Sequence, residues 1–186
     1  MVSSTHGGCS FCRLIRGETE RYAVFEDEVS LAFLDHRPLF PGHCLLTPKE
    51  HYETLIDLPK TLITPLFANA QLLARAVELG LAADGSFVAI NNRVSQSVPH
   101  LHIHIVPRRW RDGLKGFFWP RQQYENPDAI RQVQGTLVVR LYALGGLSSE
   151  AAIRLLGLEQ PAFGELLAQY HIPLRDDDPA RERSKP

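Results

Sequence analysis

Hydrophobic and polar residues alternate along several short stretches in the first half of the chain, as they do in strands that bury one face. The alternation and the turn residues that interrupt it predict five strands, at residues 22–25, 29–34, 43–47, 87–91 and 97–108. After the third strand, apolar residues recur at helical spacing over residues 62–79, and Gly80 follows as the predicted C-terminal cap. Most strands are joined as hairpins, so we expect an α+β fold with an antiparallel five-stranded sheet and one long helix.

The pattern changes to helical spacing in the last third of the chain and predicts a helical extension there. Two short helices end it, with Ser149 as the N-cap of the first, Gly157 in the turn and Pro161 at the start of the second. The highly charged end of the chain is typical of disorder. We therefore predict a first domain at 1–125, a helical extension at 126–175 and a disordered tail at 176–186.

The charge of the chain argues against two classes of partner. A net charge of −1 gives little attraction to nucleic acid or to a membrane surface. The two short helices resemble a helix-turn-helix, but the second one, PAFGELLAQYH, has no basic residue except His171. A packing or dimerisation role for the extension is therefore favoured over DNA binding.

The composition also predicts where the protein works. The chain has 186 residues, of which 44% are hydrophobic, which is enough for a core of ordinary size. Its start, MVSSTHGGCSFC, lacks the basic and apolar runs of a signal peptide, and no stretch is apolar enough over a sufficient length to span a bilayer. An odd count of three cysteines argues against a disulfide framework and favours the cytoplasm.

Three histidines occupy alternate positions of the last predicted strand, SVPHLHIHIVPR. Residues at this spacing share one face of a strand, so His100, His102 and His104 should form a row opposite the core face. Pro107 is expected to end the ladder because proline has no backbone N–H. A polar face with spare histidines is the plain interpretation, but three in a row favour acid–base, nucleophilic or metal chemistry.

The N-terminal CxxC motif, Cys9 to Cys12, adds a second chemical signal. It can be a redox dithiol, half of a zinc site or two unrelated thiols. A redox motif belongs between a strand and a helix, whereas this one precedes every predicted strand, which favours zinc over redox chemistry. The remaining ligands would be His51 and one histidine of the row, although spacing alone leaves the metal site undecided.

The segments CSFCRLIRGE, VFEDEVSLAFLDHRPLFPGHCLLTPKEHYETL, QSV and HLHIHIV together resemble the histidine-triad (HIT) family, in matching order over residues 9–108. The resemblance implies a nucleotide-binding α+β fold and a homodimer whose two sheets join. It also implies a hydrolase that cleaves a nucleoside phosphate at the α-phosphate through a nucleotidyl-histidine. The implied substrate is a small nucleotide, either a dinucleoside polyphosphate or an adenylated conjugate.

The resemblance assigns the catalytic roles. The middle histidine of the triad, His102, matches the nucleophile, which divides one difficult displacement into two easier ones. His104 matches the group that contacts the phosphate or the leaving group. His43, in PGH, matches a histidine that lines the pocket, although a histidine bonded to backbone at a strand start explains it nearly as well.

The resemblance also completes a zinc site. In the zinc-bearing members the ligands are the CxxC pair, the histidine after the Pro-Lys dipeptide and the first histidine of the triad. These positions are Cys9, Cys12, His51 and His100. Four protein ligands leave no position for water, so the implied zinc is structural. Cys44 lies outside the set and is a predicted core thiol.

Several polar residues match positions that bind the nucleotide. Asp35 in AFLDHRP matches the carboxylate that accepts the ribose hydroxyls, but a turn-capping aspartate is an equal alternative. Gln96 and Ser97 match a polar pair that donates hydrogen bonds to phosphate oxygens. The loop before them looks shorter than in the family, which makes Asn91 the better match for the motif asparagine and Asn92 the alternative.

The stretch RRWRDGLKGFFWPRQQY follows the triad and is basic and aromatic. Its Trp119 resembles the Trp-Pro of some HIT proteins, which approaches the site of the partner subunit. Arginine suits phosphate, so one hypothesis folds this stretch over the pocket, where it binds a polyphosphate or the leaving half of the substrate. A solvated loop with an aromatic anchor is the alternative. A polyphosphate substrate would also make Mg²⁺ a candidate cofactor.

Two other functions compete with hydrolysis. One is a nucleotidyltransferase or phosphorylase, and the other is a non-catalytic, zinc-stabilised nucleotide-binding module. A pure binder has no need of a nucleophile, so the intact triad favours an enzyme. Transferase relatives often carry glutamine at the third triad position, so His104 indicates hydrolysis.

Overall fold

The computed structural model describes residues 8–114 and 122–175. The strands are β1 (Ala23–Glu26), β2 (Ser30–Leu34), β3 (Cys44–Pro48), β4 (Gly85–Ile90) and β5 (Ile103–Arg108). The helices are α1 (Ser10–Ile15), α2 (Lys60–Leu81), α3 (Pro127–Ala143), α4 (Ser149–Leu156) and α5 (Gln160–Gln169). The five strands form one sheet in the order β1-β2-β3-β5-β4, and all neighbouring pairs are antiparallel. The predicted α+β class is confirmed.

The two faces of β5 separate the core from the histidines. Ile103 and Ile105 are fully buried in the larger hydrophobic cluster, together with residues of α2. His104 points to the other face, where it lies opposite Leu45 of β3 in the register. Leu45 belongs to a second, smaller buried cluster with Phe11 and Leu31. The alternation of apolar and polar residues therefore predicted the two faces correctly.

The histidine strand is shorter than the alternation predicts. It begins at Ile103, so His100 and His102 lie in the irregular chain that leads into it. This segment is held by other bonds: the Leu101 N–H donates to the Tyr52 carbonyl at 2.6 Å, and the Thr47 hydroxyl donates to the Leu101 carbonyl at 2.8 Å. The two histidines are thus fixed by hydrogen bonds outside the regular ladder.

The expectation that Pro107 ends the ladder is wrong, because β5 continues to Arg108 and Pro107 lies opposite Ser86 of β4. The pairing of β5 with β3 stops at Ile105. Beyond Ile105, β5 has no neighbour among the described residues on the β3 side, so the N–H that Pro107 lacks would have had no partner there. Sheets tolerate proline at such edge positions.

The predicted long helix forms, but Gly80 is not its cap. The helix α2 continues to Leu81, and Ala82 ends it in the left-handed conformation with φ of 49°. A Cβ at Gly80 would lie 3.3 Å from Leu137 and 3.4 Å from Thr136, both on α3. Gly80 therefore lets the two helices approach closely.

The extension forms the three predicted helices. The Asn126 side chain accepts a hydrogen bond from the Ala129 N–H and caps α3. Ser148 caps α4 in the same way, so the prediction of Ser149 as the cap is wrong: Ser149 is fully buried one residue inside the helix. Gly157 ends α4 with φ of 63°, and Pro161 lies in the first turn of α5, as predicted.

The extension and the sheet share one hydrophobic core. The helix α3 packs against both α2 and β1, and its Leu137 and Tyr142 belong to the same buried cluster as Leu73 of α2 and Ile105 of β5. The division at residue 126 stays a prediction, and the predicted tail at 176–186 lies outside the described residues. No helix in the described ranges combines the length and hydropathy needed to cross a membrane.

This shared core predicts that the sheet and the extension unfold together. Leu137 is 1% exposed at the contact between α3 and α2. Leu137→Ala should lower the free energy of unfolding by about 2–5 kcal/mol and shift one cooperative transition, measured by urea denaturation with circular dichroism. Ile56→Ala is the control, because Ile56 is 81% exposed and its truncation should cost little. Two separate transitions would show that the extension unfolds by itself.

Candidate active site and metal centre

Three imidazoles lie side by side on the face of the sheet opposite α2. The ring centroids of His102 and His104 are 4.9 Å apart, and those of His104 and His43 are 5.2 Å apart. His43 immediately precedes β3, and the register of β3 with β5 brings it beside the triad. His43 and His102 are each only 2% exposed. The structure thus brings together the three residues predicted to be catalytic.

The hydrogen bonding of His102 assigns its tautomer. Its Nδ1 lies 2.7 Å from the His100 carbonyl oxygen. A carbonyl can only accept, so Nδ1 carries the proton and Nε2 of the neutral ring keeps a lone pair. Burial lowers the pKa of His102, so the neutral form is favoured near pH 7. This arrangement prepares Nε2 to act as a nucleophile.

A chain of hydrogen bonds assigns the tautomers of His43 and then of His104. The Leu39 N–H donates to His43 Nδ1 at 3.3 Å, which places the His43 proton on Nε2. His43 Nε2 lies 3.0 Å from His104 Nδ1 and so donates to it. In a neutral ring the His104 proton must then be on Nε2. His104 therefore offers an N–H donor, in contrast to the acceptor nitrogen of His102.

Asp35 lies next to this chain and has a contact typical of a turn. Its Oδ1 accepts a hydrogen bond from the Arg37 N–H at 2.9 Å, and its Oδ2 lies 3.6 Å from His43 Nδ1. The side chain is 5% exposed. The turn-capping interpretation is therefore correct for one oxygen, while the contact with a ribose stays a prediction.

The loop before the triad is braced by its own side chains. Gln96 accepts a hydrogen bond from the Arg93 N–H at 2.7 Å and donates one to the Glu53 carbonyl at 2.6 Å. Asn92 accepts from the Leu55 N–H at 2.8 Å. Arg93 and Ser95 have φ of 65° and 60°, a conformation rare outside glycine, so these bonds hold a strained turn.

These contacts separate the polar residues of the loop into two groups. Gln96 and Asn92 hold backbone groups, which differs from the donation to phosphate predicted for Gln96. Ser97 is exposed and Asn91 half-buried, and no contact of the described residues commits either side chain to the loop. The nucleotide-binding roles of all four residues stay predictions.

The CxxC motif lies against the first histidine of the triad. The donor atoms of Cys9, Cys12, His51 and His100 all lie within 4.8 Å of one another. Cys12 Sγ is 3.3 Å from His51 Nδ1 and 3.6 Å from His100 Nδ1, and Cys9 Sγ is 3.6 Å from the same His100 atom. The donors of a tetrahedral zinc site lie about 3.5 Å apart, so the cluster has the right size.

The chemistry of the donors also fits zinc. His100 Nε2 donates to the Pro48 carbonyl at 3.0 Å, which leaves the lone pair of Nδ1 directed at the sulfur atoms. Burial lowers the pKa of His100 to about 4, so the ring is neutral, as a ligand must be. Burial raises the pKa of the Cys12 thiol to about 11, and the neighbouring Cys9 adds to the shift. A bound metal would remove that proton.

Comparison with known proteins agrees with this geometry. The family description of the HIT domain matches residues 16–111. The chain belongs to the HIT family.

The similarity extends to proteins with named activities. The chain is 36% identical to adenylylsulfatase HINT3 of Arabidopsis thaliana over 114 residues, which are 60% of this chain and 58% of that protein. It is 36% identical to adenosine 5'-monophosphoramidase HNT1 of Saccharomyces cerevisiae over 137 residues, which are 72% of this chain and 82% of the yeast protein.

A solved structure shows the same fold. The zinc-bound histidine triad family protein of Mycobacterium smegmatis aligns with a TM-score of 0.66 and 36% identity, covering 74% of this chain and 96% of that one. The matched HIT domain ends before α3, so the family description leaves the helical extension unaccounted for.

Three residues that support the HIT site were not singled out by sequence reasoning. The Phe11 ring meets the His102 ring edge to face at 5.1 Å, and Thr47 holds the chain next to His102 through the Leu101 carbonyl. The Leu39 N–H sets the tautomer of His43. Phe11 lies inside the quoted CxxC segment, where it could have been noted, but the other two contacts depend on the folded backbone.

The basic and aromatic stretch after the triad lies partly outside the described residues. Trp119, Lys115 and Arg121 fall outside the described ranges, so the hypothesis of a basic stretch over the pocket stays a prediction. Of the arginines before them, Arg108 is bound to Asp112 by two hydrogen bonds, at 2.5 and 2.9 Å, and is thereby occupied.

The assigned tautomers can be measured directly. Two-bond ¹⁵N–¹H correlation spectra at pH 7.5 should show protonated Nδ1 for His102 and protonated Nε2 for His43 and His104, because each assignment follows from a donor or acceptor of fixed type. The exposed His171 should show the solvent-averaged pattern and serves as the reference. Protonated Nε2 in His102 would contradict the proposed availability of its lone pair.

Proposed function

We propose that this HIT protein is a nucleotidyl hydrolase in which His102 attacks the α-phosphate of a nucleoside phosphate. The observation that carries the proposal is the bond from His102 Nδ1–H to the His100 carbonyl, which leaves Nε2 as a lone-pair nitrogen on a buried, neutral ring. That is the state required of a nitrogen nucleophile. The adjacent His104 offers an N–H that can donate a hydrogen bond to the leaving group or to a phosphate oxygen.

The first step forms a bond between His102 Nε2 and the α-phosphorus and breaks the bond from phosphorus to the leaving group. Electrons of that bond leave with the departing group. The carbonyl of His100 accepts the Nδ1–H and so stabilises the positive charge that develops on the ring. The product of this step is a nucleotidyl-histidine.

His104 acts on the leaving group or on a phosphate oxygen. Its Nε2–H can donate a hydrogen bond to the oxygen on which negative charge develops, and the bond from His43 holds the ring in that orientation. A neutral imidazole donates a hydrogen bond but does not readily give up the proton. The site should therefore favour leaving groups that are stable as anions.

The second step is the attack of water on the nucleotidyl-histidine. The oxygen of water bonds to phosphorus, the bond to His102 Nε2 breaks, and the nucleoside monophosphate departs after the water loses a proton to solvent. His102 returns to its starting tautomer because the His100 carbonyl keeps the proton on Nδ1.

The names of the relatives support an adenylated conjugate as the substrate. HINT3 is named an adenylylsulfatase and HNT1 an adenosine 5'-monophosphoramidase, so both names describe an adenylyl group joined to a small leaving group. A dinucleoside polyphosphate is the other candidate. The described residues add nothing in favour of Mg²⁺, which stays a prediction tied to a polyphosphate substrate.

The competing functions give different products. A nucleotidyltransferase would join the adenylyl group to an added acceptor. A phosphorylase would use added inorganic phosphate as the acceptor and form the nucleoside diphosphate. A binding module would form no product. Product analysis of adenylyl sulfate with and without phosphate separates them. Adenosine monophosphate as the only nucleotide product supports hydrolysis.

We further propose that Cys9, Cys12, His51 and His100 bind one structural zinc. The donor separations and the orientation of His100 Nδ1 support this assignment, as does the zinc-bound relative from Mycobacterium smegmatis. The metal would tether α1 to the chain that carries His102. It would have no position for substrate, because all four ligands come from the protein.

Zinc removal should therefore lower stability before it changes the chemistry. Purified protein should contain one zinc per chain by atomic emission, and chelation should lower the unfolding temperature. Cys9→Ser should have the same effect, while Cys44→Ser, outside the cluster, should leave the zinc content unchanged. Purified protein with far less than one zinc per chain would contradict the site.

We propose a homodimer in which two β4 strands pair. The opposite edge of the sheet, β1, is covered by α3 and α4, whereas β4 is an edge strand on which Val88 is 45% exposed. An uncovered edge strand favours pairing with another strand. Val88→Lys should shift the sedimentation coefficient from that of a dimer to that of a monomer, and a wild-type monomer at micromolar concentration would contradict the proposal.

The cytoplasm is the proposed location. None of Cys9, Cys12 and Cys44 forms a disulfide, which suits a reducing compartment.

The nucleophile is tested by replacing His102. His102→Ala should lower kcat about 10⁴-fold with adenylyl sulfate and leave nucleotide binding largely intact, because the contribution of the ring appears in the transition state. His171→Ala is the matched control, since His171 is exposed and follows α5, away from the triad. His104→Ala should lose less activity with adenylyl sulfate than with adenosine 5'-monophosphoramidate, whose leaving group is the poorer anion.

Stereochemistry at phosphorus decides between the two-step route and direct attack by water. Each in-line displacement inverts the configuration, so two displacements give retention. A P-chiral thiophosphate analogue turned over in oxygen-18 water should show retention by ³¹P spectroscopy. Inversion would mean that water attacks the α-phosphate directly and that His102 serves only as a base or a binding group.

A further inference from the structure

A pocket of about 590 Å³ opens between the helical extension and the chain that leads into β1. Its walls come mainly from α3, α4 and α5, with Arg21 and Tyr22 on the side of the sheet. Small-molecule sites usually have volumes of about 300–1,000 Å³, so this pocket has the size of a ligand site. It lies apart from the catalytic histidines, none of which lines it.

The lining of the pocket is positively charged. Arg21, Arg131 and Arg154 line it, and no acidic residue is among the described residues that do so. Arg21 is paired with Glu26, and Arg131 with Asp128. For Arg154, which is exposed on α4, the described part of the chain shows no ion pair. Its guanidinium is thus available to an anion.

The rest of the lining is apolar and amide-bearing. Leu155, Leu156 and Leu166 supply hydrocarbon surface, and Gln132 and Gln169 supply amides near the arginines. A pocket of this kind matches a molecule with an apolar body and an acidic group. Burial of the apolar body against the leucines stabilises the complex, and the acidic group accepts charge-assisted hydrogen bonds from the arginines.

Gly135 is the observation that points to an occupant. It lies in the middle of α3 and lines the pocket, although glycine weakens the interior of a helix relative to alanine. A Cβ there would meet only Leu166, at 4.0 Å, which is ordinary contact. Gly80 is different, because its Cβ would press on α3 at 3.3 Å. Packing within the described chain therefore does not explain Gly135, whereas a bound molecule above it would.

We propose that this pocket binds a small amphipathic anion. The apolar part lies against Leu155, Leu166 and Gly135 at the base of the pocket, and the acidic group pairs with Arg154 and Arg131. The site is separate from the proposed hydrolysis and does not depend on it. Leu155 also packs against the smaller buried cluster, whose member Phe11 contacts the His102 ring, so at least two layers of side chains would separate the occupant from His102.

The probe for this site is 1-anilinonaphthalene-8-sulfonate, which has an aromatic body and one sulfonate. Its neutral counterpart, N-phenyl-1-naphthylamine, lacks the acidic group. In fluorescence titrations of the full chain, the sulfonate should bind once per chain and at least about tenfold more tightly than the amine. Equal affinity for the two dyes would overturn the proposed role of the arginines.

Two substitutions locate the bound dye. Arg154→Gln should weaken binding of the sulfonate about tenfold, since one charge-assisted contact is lost. Gly135→Leu should fill the pocket and abolish binding, and should keep or raise the unfolding temperature because leucine favours the helix. Arg154→Gln is an exposed change and keeps the test decisive if Gly135→Leu folds poorly.

Matched controls exclude binding elsewhere on the surface. Arg75→Gln removes an exposed arginine of α2, and Gly164→Ala fills open space on α5 outside the pocket. Both variants should bind the sulfonate as the wild type does. Wild-type affinity in a folded Gly135→Leu variant, or equal losses in Arg75→Gln and Arg154→Gln, would overturn the proposal.

Discussion

The way in which His100 is held determines the rest of the site. One ring nitrogen donates to the Pro48 carbonyl, the other faces the thiols of Cys9 and Cys12, and the backbone carbonyl accepts the Nδ1–H of His102. The same residue therefore belongs to the proposed metal site and fixes the tautomer of the proposed nucleophile. Any change in the cluster that shifts the His100 backbone must also move the acceptor on which His102 depends.

The sheet supports this residue from two directions. On one face, Leu101, Ile103 and Ile105 anchor the chain in a fully buried core under α2. On the other face, Phe11 packs against the His102 ring. Because the apolar residues alternate with the histidines, burial of one set fixes the direction of the other. Rigid placement of the imidazoles thus follows from ordinary core packing.

The helical extension contributes to the same architecture. Gln134 of α3 is buried and donates to the backbone carbonyls of Ala23 and Leu155, so it ties the extension to the edge of the sheet. Arg175, near the end of the described chain, donates to the carbonyls of Tyr142 and Leu147 and lies over the Tyr142 ring. Among the described residues, α3 and α4 pack on the β1 edge, whereas β4 forms the other edge of the sheet.

The sequence by itself determined the fold class, the two faces of the histidine segment and which four cysteine and histidine residues cluster as a candidate metal site, because these depend on periodicity and on the resemblance carried by short motifs. It predicted the wrong cap for α2 and the wrong end for β5. Whether Gly80 ends a helix or Pro107 ends a strand depends on a neighbour that is distant in sequence: Leu137 for the first and the end of β3 for the second. The roles of polar side chains were also decided only in three dimensions. Gln96 braces a strained loop, and His43 takes its tautomer from a backbone N–H, because a hydrogen bond depends on where folding places its partner.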